Sequence, residues 1–324
     1  MMLTRRQWLA ATATLPLCNA ALAQEWPQQT IKVMVPFPPG GTTDILGRMV
    51  AEHLQRQLGS TVVVDNLPGA TGTIGTAVVA RAKPDGYTLL MGSVGTIVTN
   101  HFTYEKLPFT MDAIAPVINL AEMPNVLMTR PDLGANTPAE LVALMKAKPP
   151  GQELRFGSPG TGASAHISCE LFKLRTGTSA IHIPYKGSAP MLTDLMAGNI
   201  DFTIDQISSA LTFIQAGRLK ALAVTSRRRS TQLPDLPTLS ETLLPDYVMS
   251  PWFCVGAPAG TPKTIIQRIN TSLNAMLADK AVLAKLDSFG IVPVGGSPED
   301  LAALIQREAG LIRELSAKVN FRNT

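Results

Sequence analysis

An apolar run, Val33-Met34-Val35, breaks directly into Pro36-Phe37-Pro38-Pro39-Gly40-Gly41-Thr42-Thr43-Asp44, and a helical pattern follows at once. A strand ends, a Pro/Gly hinge turns the chain, and a helix begins with its first backbone N–H groups unpaired. Two adjacent glycines let the backbone approach a ligand closely, and the helix N-terminus adds donors and partial positive charge. The run reads as an anion-binding cradle. A second loop of similar composition, Gly157-Ser158-Pro159-Gly160-Thr161-Gly162-Ala163-Ser164, follows later. Two such cradles facing each other across a cleft would clamp one small anion.

Residues 1–23 read as a targeting segment outside the fold. Arg5-Arg6 form the charged start, 8–17 is an apolar and Ala/Thr-rich stretch, and Ala21-Leu22-Ala23 is an A-x-A cleavage site. The stretch is too short to span a membrane as a stable helix. Thr4-Arg5-Arg6-Gln7-Trp8-Leu9 fits a twin-arginine export signal, and equally a Sec signal that happens to carry two arginines. Leu17 before Cys18 fits a lipobox poorly. The expectation is an exported, soluble periplasmic protein whose mature chain starts at Gln24.

Removing 1–23 takes away two arginines and no acid, so the formal charge of +4 falls by two and the mature chain is nearly neutral. No basic run with interleaved aromatics occurs, which excludes a nucleic-acid surface of the usual kind. Arg227-Arg228-Arg229 is the only basic cluster and reads as a solvated loop. The mature chain keeps Cys169 and Cys254, in different expected elements, so two buried free thiols are expected rather than a disulfide framework. His53, His101, His166 and His182 are scattered without metal-ligand spacing, so no metal and no cofactor are expected.

Strand and helix alternate along almost the whole chain. A strand over 31–35 leads to a helix over 44–58 with apolar Ile45, Met49, Val50, Leu54 and Leu58, stopped by Gly59. A strand over 62–65, a helix over 76–82 and a strand over 87–91 complete a βαβαβ start, which argues for a parallel sheet under covering helices. Extended runs over 115–119 and 126–129 follow. A second series places strands over 154–157, 181–183, 200–204 and 219–224, with helices over 138–146, 163–174, 190–196 and 209–216. Residues 227–245 read as a long loop, 252–257 as a last extended run, and 262–278, 281–289 and 298–317 as closing helices. The runs near 126 and 252 echo each other, so the chain is expected to leave a first lobe (24–124 plus 251–324), build a second (125–250), and return. The two crossing segments would act as a hinge.

With those residues in hand, the chain resembles the substrate-binding proteins of tripartite tricarboxylate transporters, the Bug or TctC-like family. The matches include Val35-Pro36-Phe37-Pro38-Pro39-Gly40-Gly41 with Asp44 and Arg48, Val64-Asp65-Asn66 through Pro68-Gly69-Ala70, and Ala80-Arg81-Ala82-Lys83-Pro84-Asp85-Gly86-Tyr87-Thr88-Leu89. Further on come Pro184-Tyr185-Lys186-Gly187-Ser188-Ala189-Pro190, Leu195 with Ala197-Gly198, and Leu219-Lys220-Ala221-Leu222-Ala223-Val224-Thr225. Leu233-Pro234-Asp235-Leu236-Pro237-Thr238 and Pro258-Ala259-Gly260-Thr261-Pro262 close the series. Leu67, where the family often has arginine, and Glu241-Thr242-Leu243-Leu244, which lacks an Ala-Gly, depart from the pattern. The resemblance implies a two-lobed α/β flytrap of the type II periplasmic-binding-protein kind, with parallel-rich sheets. It implies a monomeric binder that delivers a small organic carboxylate (aliphatic, aromatic or amino acid) to permease subunits of such a transporter. The loops 37–44 and 157–164 would grip one carboxylate through backbone amides, hydroxyls and bridging waters.

Individual residues keep two accounts. Thr42, Thr43 and Ser164 either cap helices or touch the ligand, and Asp44 favours a helix dipole rather than an anion. Ser93 follows a strand end, where ligands commonly sit. His166 is a core or a cleft histidine, and Tyr185 walls the cleft or packs a turn. Asp205 caps a helix or accepts a ligand hydroxyl or amine, and Phe37 is placed over the ligand body. The candidate set is therefore Phe37, Gly40, Gly41, Thr42, Thr43, Asp44, Ser93, Ser158, Thr161, Gly162, Ala163, Ser164, His166, Tyr185 and Asp205.

An exported hydrolase is the competing class. No G-x-S-x-G elbow, Walker loop or G-x-G-x-x-G occurs, so nothing points to an enzyme. A sensor subunit for a membrane histidine kinase would use the same flytrap and stays open.

Overall fold

The computed structural model describes residues 26–319 of the 324-residue chain, so the leader and Gln24 lie outside the described residues. The strands, in chain order, are β1 (Ile31–Val35), β2 (Val62–Asn66), β3 (Thr88–Ser93), β4 (Ile114–Glu122), β5 (Asn125–Thr129) and β6 (Arg155–Ser158). They continue with β7 (Ile181–Pro184), β8 (Phe202–Gln206), β9 (Lys220–Val224), β10 (Trp252–Pro258) and β11 (Val292–Pro293). The α-helices are α1 (Thr42–Leu58), α2 (Thr73–Ala80), α3 (Asn100–Thr103), α4 (Pro138–Ala147), α5 (Ser164–Thr176) and α6 (Ser188–Ala197). After them come α7 (Ile207–Gln215), α8 (Leu239–Thr242), α9 (Lys263–Leu277), α10 (Lys280–Ser288) and α11 (Pro298–Ser316).

Two sheets divide these strands. One has the order β11-β4-β10-β3-β1-β2, the other β7-β6-β8-β5-β9. The βαβαβ start gives parallel pairing of β1 with β2 and β3, and β6 pairs parallel with β7 and β8. The strands next to each crossing run the other way: β10 pairs antiparallel with β3 and β4, and β5 with β8 and β9. Both sheets are therefore mixed, within a two-lobed α/β fold.

Sequence periodicity explains how α1 lies on its sheet. The buried face is Leu46, Met49, Val50 and Leu54, with Ile45 and Leu58 at its margin. Gly47 sits where a Cβ would come within 2.7 Å of Val35 Cγ2, so only glycine lets the helix approach β1 this closely. Gly59 ends the helix in the left-handed conformation at φ 64°. The expected helix over 76–82 begins earlier, at Thr73, and the expected loop 227–245 contains α8, started by a capping box between Thr238 and Glu241.

The chain crosses between sheets twice, at Met123-Pro124 and on the return through Ser250-Pro251. Hydrogen bonds tie the crossings together: Met123 N–H donates to Pro251 O at 2.8 Å, and Asn125 Nδ2 to Met249 O at 3.3 Å. Thr225 donates through N–H to Asn125 O at 2.9 Å and through Oγ1 to Met249 O at 2.8 Å. Helix α11 packs on β4 of one sheet and on α5, which itself packs on β6 and β8 of the other sheet. Cys169 and Cys254 are buried free thiols, and burial pushes Cys254 up to about 12. Among the described residues, no helix is long and apolar enough to cross a membrane.

Candidate functional site

The first cradle begins where β1 ends. Gly40 turns the chain at φ 92°, and Gly41 stands at the N-cap of α1 with no side-chain cap. The early N–H groups of α1 are thus left to a ligand or water. Asp44 fastens this loop from behind. Its Oδ2 accepts from Gly40 N–H and from Arg48 Nε, both at 2.9 Å, and its Oδ1 accepts from Asn66 Nδ2 at 2.9 Å. Asn66 Nδ2 also donates to Phe37 O at 3.1 Å. Burial alone would raise the Asp44 carboxyl, but Arg48, Gly40 N–H and Asn66 outweigh it and hold it below its ordinary value.

The floor comes from the end of β3. After Ser93 the chain makes a π-helical turn over Gly95–Thr99 and then α3. Ser93 N–H donates to Thr96 Oγ1 at 2.9 Å, and that hydroxyl donates back to Ser93 O at 3.1 Å. Asn100 Nδ2 donates to Thr71 O at 3.0 Å and to Thr73 Oγ1 at 3.2 Å. It thereby holds the loop before α2, in which Ala70 and Thr71 take left-handed φ of 46° and 52°. A Cβ on Gly72 would meet Thr96 Cγ2 at 2.6 Å and the Phe37 ring at 3.1 Å, so this glycine lets Phe37 close over the floor.

The second cradle joins β6 to α5, whose N-cap Ala163 also lacks a side-chain cap. Ser158 Oγ donates to Gly160 O at 2.9 Å and lies 2.7 Å from His182 Nε2. Gly162 N–H donates to His166 Nδ1 at 3.0 Å. The His166 and His182 rings stack at 3.9 Å, with Phe156 stacked on both. Burial is the main cause that drives His166 down to about 3 and His182 to about 4, so both rings are neutral at pH 7.

Between the cradles lies a cavity of about 580 Å³. Of the candidates, Phe37, Gly41, Thr42, Thr43, Ser93, Gly162, Ala163 and Ser164 line it. Gly40, Asp44, Ser158, Thr161, His166, Tyr185 and Asp205 are not on its wall. For most of these the physical reason is a partner elsewhere: Asp44, Ser158 and His166 hold the cradles from behind. Tyr185 OH donates to Asp194 Oδ2 at 2.8 Å, and burial followed by that carboxylate raises the phenol to about 12. Asp205 is buried, accepts from Ser209 Oγ at 3.0 Å, and burial raises its carboxyl.

Pro38 and Pro39 of the expected 37–44 loop line the wall, which also contains residues outside the sequence expectations: Thr71, Val94, Gly95, Thr99, Asn100, Gln206, Pro251 and Phe253. Phe253 is in register with Ser93 across the β10–β3 pair, a tertiary fact with no local signal. Among the described residues no Lys, Arg, His, Asp or Glu lines the cavity, and its polar groups are hydroxyls, amides and backbone N–H at helix starts. Such a wall solvates an anion by hydrogen bonds and helix ends rather than by a counter-charge. Among the described residues, no group of three His, Cys, Asp or Glu side chains is placed to hold a metal ion.

The family model described as "Tripartite tricarboxylate transporter family receptor" matches residues 46–320. BugT of Bordetella pertussis is 39% identical over 313 residues, covering 95% of each chain. An R. palustris protein solved with adipate is 36% identical with a TM-score of 0.73, covering 90% of this chain and 98% of that one. MatC from Rhodopseudomonas palustris, solved with bound malate, is 30% identical with a TM-score of 0.70, covering 90% and 99%. With that likeness running over nearly its whole length, the chain belongs to the TctC/Bug-like receptors of tripartite tricarboxylate transporters, a family of extracytoplasmic solute-binding proteins and not of enzymes.

Proposed function

We propose that this chain captures a small organic carboxylate between two lobes and delivers it to the permease subunits of a tripartite tricarboxylate transporter. The observation that carries this is a cavity bracketed by two helix N-termini without side-chain caps, on a wall to which the described residues bring no charged side chain. The ligand-binding set is Phe37, Gly41, Thr42, Thr43, Ser93, Gly162, Ala163 and Ser164, extended by Thr71, Thr99, Asn100 and Gln206. Without an acid on the wall an ammonium has no counter-charge, so aliphatic or aromatic acids fit better than amino acids.

Lobe one comprises 24–124 with 251–324, and lobe two 125–250. The sheet change at both crossings supports this division. Closure is a hinge motion at the two tied crossings, favoured when both cradles engage one anion. The protein acts as a monomer in the periplasm after loss of 1–23.

A thermal-shift panel of adipate, malate, benzoate and glutamate, each beside its amide, tests the function. A ligand at about a hundred times its Kd adds about 2.7 kcal/mol of stability. A rise with an acid and none with its amide is expected. No rise with any carboxylate from a folded protein contradicts the function.

A further inference from the structure

The buried stripe of α11 is Leu301, Leu304, Ile305, Glu308, Ala309, Ile312 and Leu315, in which Glu308 is the one ionisable group. Glu308 is only 8% exposed, and among the described residues no hydrogen bond or ion pair reaches its carboxyl. A carboxyl in an apolar seam without a partner ionises reluctantly, because the low dielectric penalises the charged form.

Its location gives that reluctance a consequence. Glu308 lines a chamber of about 20 Å³, room for a single water, together with Ser168 and Ser250. Val94, Thr99, Ser164 and Pro251 line both this chamber and the ligand cavity. The chamber therefore lies directly behind the cavity wall, where the N-terminus of α5 meets the returning crossing. Ser250 Oγ, in the same wall, is likewise buried without a hydrogen-bond partner.

We propose that Glu308 is a proton-linked selectivity group of the ligand site: it holds its proton while an anion occupies the α5 end of the cavity, so carboxylate capture takes up a proton. The inference rests on the carboxylate-binding function proposed above. An ionised Glu308 sets a negative charge behind the wall, opposes the ligand's charge and offsets the partial positive charge of the helix end. The neutral acid does neither. By reciprocity, a bound anion favours the proton on Glu308 as much as the proton favours the anion. Ligands with more negative charge are penalised more when Glu308 ionises.

The surrounding charges are few. Burial raises Glu308 to about 7, with Glu122 of β4 adding to the rise and Arg307 opposing it. Glu122 is itself raised by burial, which Arg227 and Arg307 oppose. Of the other elements packed on α11, α3 carries His101, which burial holds down, and α5 carries His166, neutral above about 3. The Glu170–Lys173 ion pair of α5 is closed at 2.8 Å. The 95–99 turn and α9 bring no charge that acts on Glu308.

The test is calorimetric titration of the protein with adipate, or the panel acid that binds best, at pH 6, 7.5 and 9. Buffers of low and high ionisation enthalpy read proton uptake directly. One pKa unit of coupling makes affinity roughly tenfold weaker at pH 9 than at pH 6, with net uptake near pH 7.5. Glu308→Gln, isosteric with the protonated acid, is expected to keep the pH 6 affinity throughout and to abolish uptake. Glu122→Gln is expected to keep the drop and lower its midpoint. A flat wild-type profile without uptake, or a drop that survives in Glu308→Gln, overturns the proposal and leaves carboxylate binding standing. Failure of every panel carboxylate to bind at pH 6 overturns it together with the function beneath it.

Discussion

The backbone N–H of Gly162, on the cavity wall, donates to Nδ1 of His166 at 3.0 Å. That bond places the proton of the neutral ring on Nε2, on the side of Glu170 Oε1 at 3.9 Å. His166 thus serves the ligand site without lining it. It orients the glycine whose neighbours Ala163 and Ser164 form the helix start, and the stacked His182 and Phe156 hold its ring in place.

Replacing His166 by Phe keeps the stack and removes the acceptor. An N–H deprived of its partner costs about 1–3 kcal/mol, so carboxylate affinity is expected to fall about tenfold while circular dichroism stays unchanged. The fold disfavours the proton on His166, so its contribution to stability is full above its ordinary 6.5 and is lost as pH falls toward about 3. His166→Phe should therefore lose less stability than the wild type across that window, read by thermal melts at pH 6.5, 5 and 4. Equal losses would show that the ring does not titrate as described.

Gly41 is an N-cap with φ −83° and nothing within 4 Å of a Cβ placed on it. A side chain is therefore tolerated by the backbone, and Gly41→Asp adds a negative charge at the first cradle. Binding is expected to be lost, with a melting temperature close to that of the wild type. Retained affinity in calorimetry would remove this loop from the site.

Asn100 holds the left-handed stretch at Thr71 by two hydrogen bonds, and both residues line the cavity. Asn100→Ala leaves Thr71 O without that donor and lets the loop relax. About 1–3 kcal/mol of stability and about tenfold in affinity are expected to go together. A melting temperature and Kd equal to the wild type's would show that the loop is held by other contacts.

The residues legible in the sequence were those whose work depends on local backbone geometry. Gly41, Thr42, Thr43 and Gly162 through Ser164 follow strand ends and open helices, and composition alone marks such a start. Asp44 and Arg48 stand four apart, so their pair at 2.9 Å was also within reach of the pattern. Tyr185 follows β7 and Asp205 lies near the end of β8, but a strand end does not say where a side chain turns: they pair with Asp194 of α6 and Ser209 of α7. Asn100 and Thr99 belong to a stretch with no Pro or Gly boundary after Gly95, so its π-turn left no periodic trace. Phe253 and Pro251 reach the cavity only because β10 crosses back beside β3.

Glu308 makes an opposite pH prediction. Burial raises its folded carboxyl from an ordinary 4.5 to about 7, so the fold favours the protonated form. Its stabilising contribution is full below 4.5 and falls away as pH rises to about 7. Glu308→Gln is expected to gain stability on the wild type across that interval and to hold the gain above it. Thermal melts of both proteins at pH 4.5, 6, 7 and 8 check this, and a constant difference would place the carboxyl in water.

The most direct test of the central claim compares the best-binding carboxylate with its own amide by calorimetric titration. The amide keeps the size and shape of the acid and removes the charge that two helix starts are built to meet. Charged hydrogen bonds are worth about 1.5–3 kcal/mol each, so the amide should bind at least tenfold more weakly. Equal affinity for acid and amide would contradict the anion cradle.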